Sequence, residues 1–267
     1  MNSTLARELL SLRASVFRAR QFLDAVRVML PRVLLKETLA RYLADGIITA
    51  EVMDAALTAR HPVGMEPLTR HLFEVSVDVM YLVTEPDPSY AAARTVAWNI
   101  LRWDRIWTLQ EQAEQKDPSL GPGKTPELRA DEAIKNFAKS LEADGEDGSP
   151  VLRAYDELKA RKPLPLHWSG GTRTRVVNEV ERRASAVEPH LALLHGLWHM
   201  LSSDSHPSPW AARVRLAVDK TDGAVRFEPD PAIGTETATL QAASHGTIML
   251  DLTRRWVAEG YSRSSSF

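Results

Sequence analysis

Five of the eight histidines, His167, His190, His195, His199 and His206, fall between positions 167 and 206. Successive residues of a helix turn by about 100°. On a helix predicted over about 188–203 and continued to its end, His195, His199, Ser202 and His206 therefore share one stripe, with Leu194, Leu197, Met200 and Leu201 on the opposite arc. Such a stripe is either a solvated polar face or the wall of a site. His206 precedes Pro207, where the α conformation is disfavoured and the helix should stop. Its imidazole would then project from a helix C-terminus, whose partial negative charge favours the protonated form. A histidine so placed can exchange a proton near neutral pH, which makes His206 the candidate acid or base.

A second group lies at 70, 74 and 78, on the narrow polar side of the most apolar helix in the chain, predicted over 66–83. Arg70 and Glu74 are four residues apart and should pair across one turn. In a site, Arg70 would orient a phosphate or carboxylate, and Glu74 would fix a histidine tautomer or act as base. Two histidines at i and i+4, here His195 and His199, also suit zinc, iron or manganese when carboxylates such as Glu74 and Asp78 join from another helix. No His-Glu-x-x-His motif supports this, because Gly196, Leu197 and Trp198 separate the two histidines. We assign no metal ligand and no cofactor.

Three short motifs carry a resemblance. Leu68-Thr69-Arg70-His71-Leu72-Phe73-Glu74, Leu166-His167-Trp168-Ser169-Gly170 and Leu201-Ser202-Ser203-Asp204-Ser205-His206-Pro207 resemble the Arg-x-x-x-Glu, Trp-Ser-Gly and Ser-x-x-x-His elements of uncharacterised-domain family 5677, which is widespread in bacteria. The resemblance covers residues 66–258 and implies a helical fold. It groups Arg70, Glu74, Trp168, Ser202 and His206 as shared positions, and implies no established activity. The turns carrying His195 and Trp198-His199 depart from the family's aromatic spacing.

Other signals carry less. Arg161 to His167 and Arg183 to His190 fit the Arg-x(4–6)-His spacing of the HEPN ribonucleases, but two matches are what chance supplies in so arginine-rich a chain, and Pro163, Pro165 and Pro189 interrupt them. Trp98, Trp103 and Trp107 alternate with Arg94, Arg102 and Arg105 as single-strand nucleic-acid platforms do, yet their helical spacing predicts packing in the core. Gly121-Pro122-Gly123-Lys124-Thr125 lacks the first glycine and the strand of a P-loop.

The elements that position these residues read as an all-α, multi-helix bundle with one small β-hairpin insertion near the C-terminus. Leu5, Leu9, Leu12, Val16, Leu23 and Val26 predict a helix that ends at Pro31, followed by helices at about 32–45, stopped by Gly46, and from Thr49 to Arg60. We divide the chain into N-terminal accessory helices over 1–62 and a helical-bundle domain over 63–267. In that domain a tryptophan-bearing helix over 90–115 follows a turn at 85–89, and a helix starts at Thr125-Pro126-Glu127. Another runs from Ser149 to Lys162, a Pro/Gly loop covers 163–171, and a helix covers 172–184. Val214, Leu216 and Val218 alternate with polar neighbours before the turn at 220–223, after which Val225 and Phe227 resume, predicting a hairpin over about 213–228. A last helix covers about 236–258.

The 267 residues are 44% hydrophobic and 25% charged with a net charge of -2, an ordinary globular balance without the bulk charge of a dedicated nucleic-acid binder. The absence of cysteine excludes disulfides and thiolate chemistry and fits a reducing compartment. Glu8 and Asp24 argue against reading the arginine-rich first helix as a transit peptide, and no apolar run approaches the roughly 20 residues of a membrane span. We expect a cytoplasmic protein that does not enter a membrane. The leading expectation is a hydrolase acting on a phosphoester such as RNA. His206, Glu74 and Arg70 would be catalytic, and Trp168, Ser169, Ser202 and His199 would bind an unidentified ligand or protein partner. The alternatives are a non-catalytic interaction or regulatory protein, and a metal-dependent enzyme with His and carboxylate ligands.

Overall fold

A computed structural model describes residues 3–27, 33–59, 65–117, 119, 128–184, 214–218, 225–229 and 235–263. The helices described are α1 (Ser3–Arg27), α2 (Leu34–Thr58), α3 (Met65–Thr84), α4 (Pro88–Lys116), α5 (Ala130–Ala143), α6 (Ser149–Lys159), α7 (Arg173–Ala184) and α8 (Thr235–Arg263). Between α7 and α8 the strands β1 (Val214–Val218) and β2 (Val225–Pro229) pair antiparallel, Val214 opposite Pro229 and Val218 opposite Val225. The expected helix over 188–203, and with it His190, His195, His199, Ser202 and His206, lies outside the described residues. So does the expected start at 125–127, and α5 is described from Ala130.

The fold is a helical bundle around α8, against which α1, α2 and α3 all pack. The segment read as an accessory layer thus meets the last helix of the chain directly. In α1 the buried positions Leu9, Leu12, Ser15, Ala19, Leu23 and Val26 recur every three to four residues and form the stripe that faces the core. α4 packs on α2, α3, α5 and α6, and α7 lies on α3.

Residues 34–58 form one helix, correcting the expected break at Gly46 and cap at Thr49, which are both buried within it. An interior glycine costs a helix about 1 kcal/mol relative to alanine, a small loss against the packing of a continuous apolar face. Gly46 marks the close approach of α2 to its neighbours: a methyl group there would lie 3.5 Å from Leu250 Cδ1 of α8 and 3.7 Å from Val75 Cγ1 of α3. The α2 N-terminus has no cap from its own N-cap residue, Val33. The Glu146 carboxylate, in the turn after α5, instead accepts the Leu34 N–H at 2.8 and 2.7 Å, satisfying an amide that the helix leaves without a partner.

α3 carries a buried apolar face of Leu72, Phe73, Val77, Val79, Met80, Leu82 and Val83. Its polar exception on that side is Ser76, fully buried, whose hydroxyl reaches Leu72 O and Met249 O at 2.9 Å and Thr253 Oγ1 at 2.8 Å. These contacts key α3 to α8 in one register. α4 begins at Pro88, and Asp87 caps it by accepting the Tyr90 N–H at 2.9 Å. Its buried residues, Ala91 to Ala93, Thr95 and Ala97, lie in its first half. Trp103, one of the tryptophans whose spacing predicts packing in the core, is 57% exposed, and no residue of the second half of α4 is buried.

Gly260 is the tightest point of α8, since an added methyl would stand 2.5 Å from Leu39 Cδ1 and 3.0 Å from Val83 Cγ2. Gly260→Ala should therefore destabilise the protein by about 1–3 kcal/mol through overpacking. Gly46→Ala, which meets only ordinary contacts, should be neutral or stabilising by up to about 1 kcal/mol. Chemical denaturation of both variants checks the pair, and equal losses would contradict this packing.

Candidate functional site

The polar line of α3 continues one turn beyond Glu74 to Asp78, which is 7% exposed. A carboxylate withdrawn from water requires partners, and Asp78 has two. His167 Nε2 lies 2.9 Å from Asp78 Oδ1, and the Arg173 guanidinium, at the start of α7, donates to the same oxygen. Burial alone raises the Asp78 carboxyl, but the Arg173 charge, with the hydrogen bond from His167, brings it below the ordinary carboxylate value.

The other ring nitrogen of His167, Nδ1, lies 2.8 Å from Ser169 Oγ and accepts the Ser169 backbone N–H at 3.1 Å. The Gly171 N–H donates to Ser169 Oγ at 3.3 Å, which leaves the hydroxyl hydrogen directed at Nδ1. These partners assign the Nε2–H tautomer to His167. The result is a hydrogen-bonded chain from Ser169 through His167 to Asp78, with the imidazole 3% exposed. Trp168, buried against the His167 ring at 4.9 Å and edge-on to Tyr81 at 5.3 Å, holds the loop down on α3.

The loop closes through Gly170, whose N–H donates to His167 O at 2.9 Å and whose φ of 84° suits a residue without a side chain. A methyl group there would collide with Arg161 Nη1 and stand 3.1 Å from Arg94 Nη2. Thr172 then caps α7, its Oγ1 accepting the Arg175 N–H at 3.3 Å and its carbonyl the Val176 N–H at 3.1 Å.

Beside Ser169 and the two glycines is a cavity of about 280 Å³ whose wall includes Arg94 of α4, Arg161 just after α6, and Arg175 and Arg183 of α7. Arg94 Nη2 donates to Ser169 O at 3.0 Å. Arg183 pairs with Glu85 at 2.9 Å and Glu179 at 2.7 Å and lies over the Tyr81 ring at 4.9 Å. Among the described residues, Arg161 and Arg175 form no ion pair. Glu179 is the one carboxylate among the described residues of this wall, and it is drawn down to about 2 by its hydrogen bond from Arg182, with Arg183 adding to the effect against the opposing influence of burial. The described part of the wall is net cationic near neutral pH.

A larger cavity, about 550 Å³, has Glu74, Asp78, His167, Trp168 and Arg173 in its wall together with His71 and Asp45. Arg70 and Glu74 pair at 3.0 Å as their spacing predicts, and Glu74 also approaches Arg173 Nη2 at 3.6 Å. His71 meets Asp45 at 2.9 Å, and that hydrogen bond raises the imidazole above its ordinary value. The expected residues Arg70, Glu74, Trp168 and Ser169 are thus joined to one polar system through Arg173, Asp78 and His167. The positions of His206, Ser202 and His199 lie outside the described residues.

Residue spacing does not reveal that the carboxylate facing a histidine ring here is Asp78, that the histidine is His167, or that four arginines from three parts of the chain meet at the Ser169–Gly171 loop. Asp78 was visible as the next i+4 position after Glu74; the arginines carried no local signal. Among the described residues, no three His, Asp or Glu side chains are grouped to hold a metal ion, and no helix is long and apolar enough to cross a membrane. The chain matches no family model, no curated protein and no solved structure.

Removing one partner of a buried ion pair typically costs about 3–5 kcal/mol, so Asp78→Asn should lower stability strongly at pH 7. Because the folded Asp78 carboxyl is held below its ordinary value, its contribution is present above the unfolded pKa of about 4 and is lost as pH falls through the folded value. The gap between the native protein and Asp78→Asn should therefore narrow below about pH 4. Denaturation curves at neutral and acid pH measure it, and a gap that widens on acidification would contradict the pairing.

Proposed function

We propose that the protein binds a phosphate-bearing ligand at the Ser169–Gly171 loop and hydrolyses a phosphoester there, RNA being one such substrate. The observation that carries the reading is the convergence of Arg94, Arg161, Arg175 and Arg183 on one small cavity beside Ser169. Guanidinium forks match phosphate oxygens in geometry as well as in charge. At about 280 Å³ the cavity suits a phosphoryl group more than a whole nucleotide. Gly170 keeps the approach of Arg94 and Arg161 open.

In this reading His167, oriented by Asp78, accepts a proton, and Arg70 and Glu74 hold Arg173 and so support Asp78 at second hand. His206, with Ser202 and His199 on the same predicted stripe, keeps its place as a sequence-based candidate acid or base outside the described residues. The grouping of Arg70, Glu74 and Trp168 accords with the resemblance to uncharacterised-domain family 5677, which we retain as a proposal along with a cytoplasmic location. The paired strands are taken as a hairpin insertion between α7 and α8 that leaves the arginine-bearing helices in place.

A second reading is favoured by the burial of both Asp78 and His167: the polar chain would only specify the packing of the loop on α3 in a non-catalytic protein. Ligand binding separates the two. Inorganic phosphate and a short RNA oligonucleotide should bind with an affinity that falls as salt rises. Arg161→Ala, which removes a solvent-exposed guanidinium, should weaken phosphate binding by about 10- to 100-fold, the equivalent of one hydrogen bond to a charged group. Calorimetric titration reads both effects. No binding, or binding indifferent to salt and to Arg161, would remove the functional reading and leave the structural one.

A further inference from the structure

The order of groups at the edge of the arginine cavity is that of an activated nucleophile: a hydroxyl within hydrogen-bond reach of a base, and the base oriented by a third group. We infer that Ser169 is a covalent nucleophile toward phosphorus, an inference that rests on the phosphate-binding reading above. Ser169 lines the cavity, and its Oγ lies 2.8 Å from His167 Nδ1, while the far side of the ring is held by Asp78 at 2.9 Å. The ring nitrogens are used in the opposite sense to the Ser-His-Asp triad of serine proteases, in which Nε2 faces the serine and Nδ1 the aspartate. The roles depend on geometry, and either nitrogen can take the proton.

The step balances without a further reagent. Oγ attacks the phosphorus of a bound phosphoester, the Oγ–P bond forms and the bond from phosphorus to the ester oxygen breaks. The Ser169 proton passes to His167 Nδ1 and then to the departing alkoxide or aryloxide, which leaves as the alcohol. Asp78 stabilises the imidazolium in between, and Arg94, Arg161 and Arg175 face the phosphoryl oxygens. Water, deprotonated by His167, then attacks phosphoserine, releases phosphate and returns the hydroxyl to Ser169. A serine engaged only in closing the loop would share the hydrogen bonds to Gly171 and His167 but would form no bond to phosphorus.

The test uses the full chain, with inorganic phosphate as the binding probe and p-nitrophenyl phosphate as the reactive one. Acid quenching during turnover, followed by peptide mass spectrometry, should find one phosphoryl group on Ser169. Ser169→Ala should lose both p-nitrophenolate release and the adduct while still binding inorganic phosphate. His167→Gln should slow adduct formation by about 10²–10⁴-fold, the usual worth of a positioned base. If Ser169→Ala fails to fold, as judged by circular dichroism, Ser169→Cys replaces it, and a phosphoryl group captured on the cysteine counts in favour. Phosphate binding with no turnover and no adduct, turnover undiminished in the variant, or an adduct at another residue would overturn the nucleophile and leave the binding site intact. Failure of inorganic phosphate to bind the native protein would overturn both.

Discussion

A carboxylate placed on the inner side of an apolar helix must be matched by positive charge and hydrogen-bond donors, and Asp78 imposes that requirement on everything around it. The match comes from two parts of one stretch of chain. His167 reaches Asp78 from the loop and Arg173 from the first turn of α7. Both must be in place together, so the intervening residues, Trp168 to Thr172, are held against α3. The residues of the loop each serve that placement: Trp168 supplies the apolar surface, Gly170 the left-handed turn, and Thr172 the cap that starts α7.

Once that loop is anchored, the arginine cavity follows. Gly170 presents bare backbone to Arg94 of α4 and to Arg161 just after α6. α7, fixed at its start by Arg173, brings Arg175 and Arg183 to the same wall. Cations so gathered repel one another, and the structure offsets this unevenly. Arg183 is neutralised by Glu85 and Glu179, whereas Arg161 and Arg175 face the cavity without an ion pair among the described residues. That imbalance is what an anion would relieve. Energetically the site is thus two coupled layers, a buried one in which every charge is matched and a solvent-facing one in which positive charge is in excess.

The other face of α3 explains why the helix holds Asp78 so firmly. Ser76 and Thr253 lock α3 to α8, and Gly260 lets α8 approach Leu39 of α2 and Val83 of α3 closely. A helix packed in one register on its apolar side can present Arg70, Glu74 and Asp78 at fixed heights on the other. The long-range closure of the bundle, with α1 and α2 packed on α8, therefore supports a site to which α8 contributes no residue among those described.

Much of the helical architecture was legible in local pattern. The apolar stripes of α1 and α3, the turn before α4, the loop over 163–171 and the start of α7 all rest on interactions within a few residues, which periodicity and turn chemistry report. The Arg70–Glu74 pair was legible for the same reason. Gly46 reads as a stop because a glycine's local cost is visible in sequence, whereas the α3 and α8 side chains that cover it within one continuous helix come from far along the chain. Trp103 reads as core because helical spacing says which residues share a face, and only the tertiary structure says where along the helix that face is covered. By itself, then, the sequence determined the helices and the polar line on α3. Only the tertiary structure decided that Asp78 meets His167 and that four arginines converge on Ser169, because those contacts join distant parts of the chain, His167 and Asp78 lying 89 positions apart, and no local periodicity encodes which distant partner a buried charge will find.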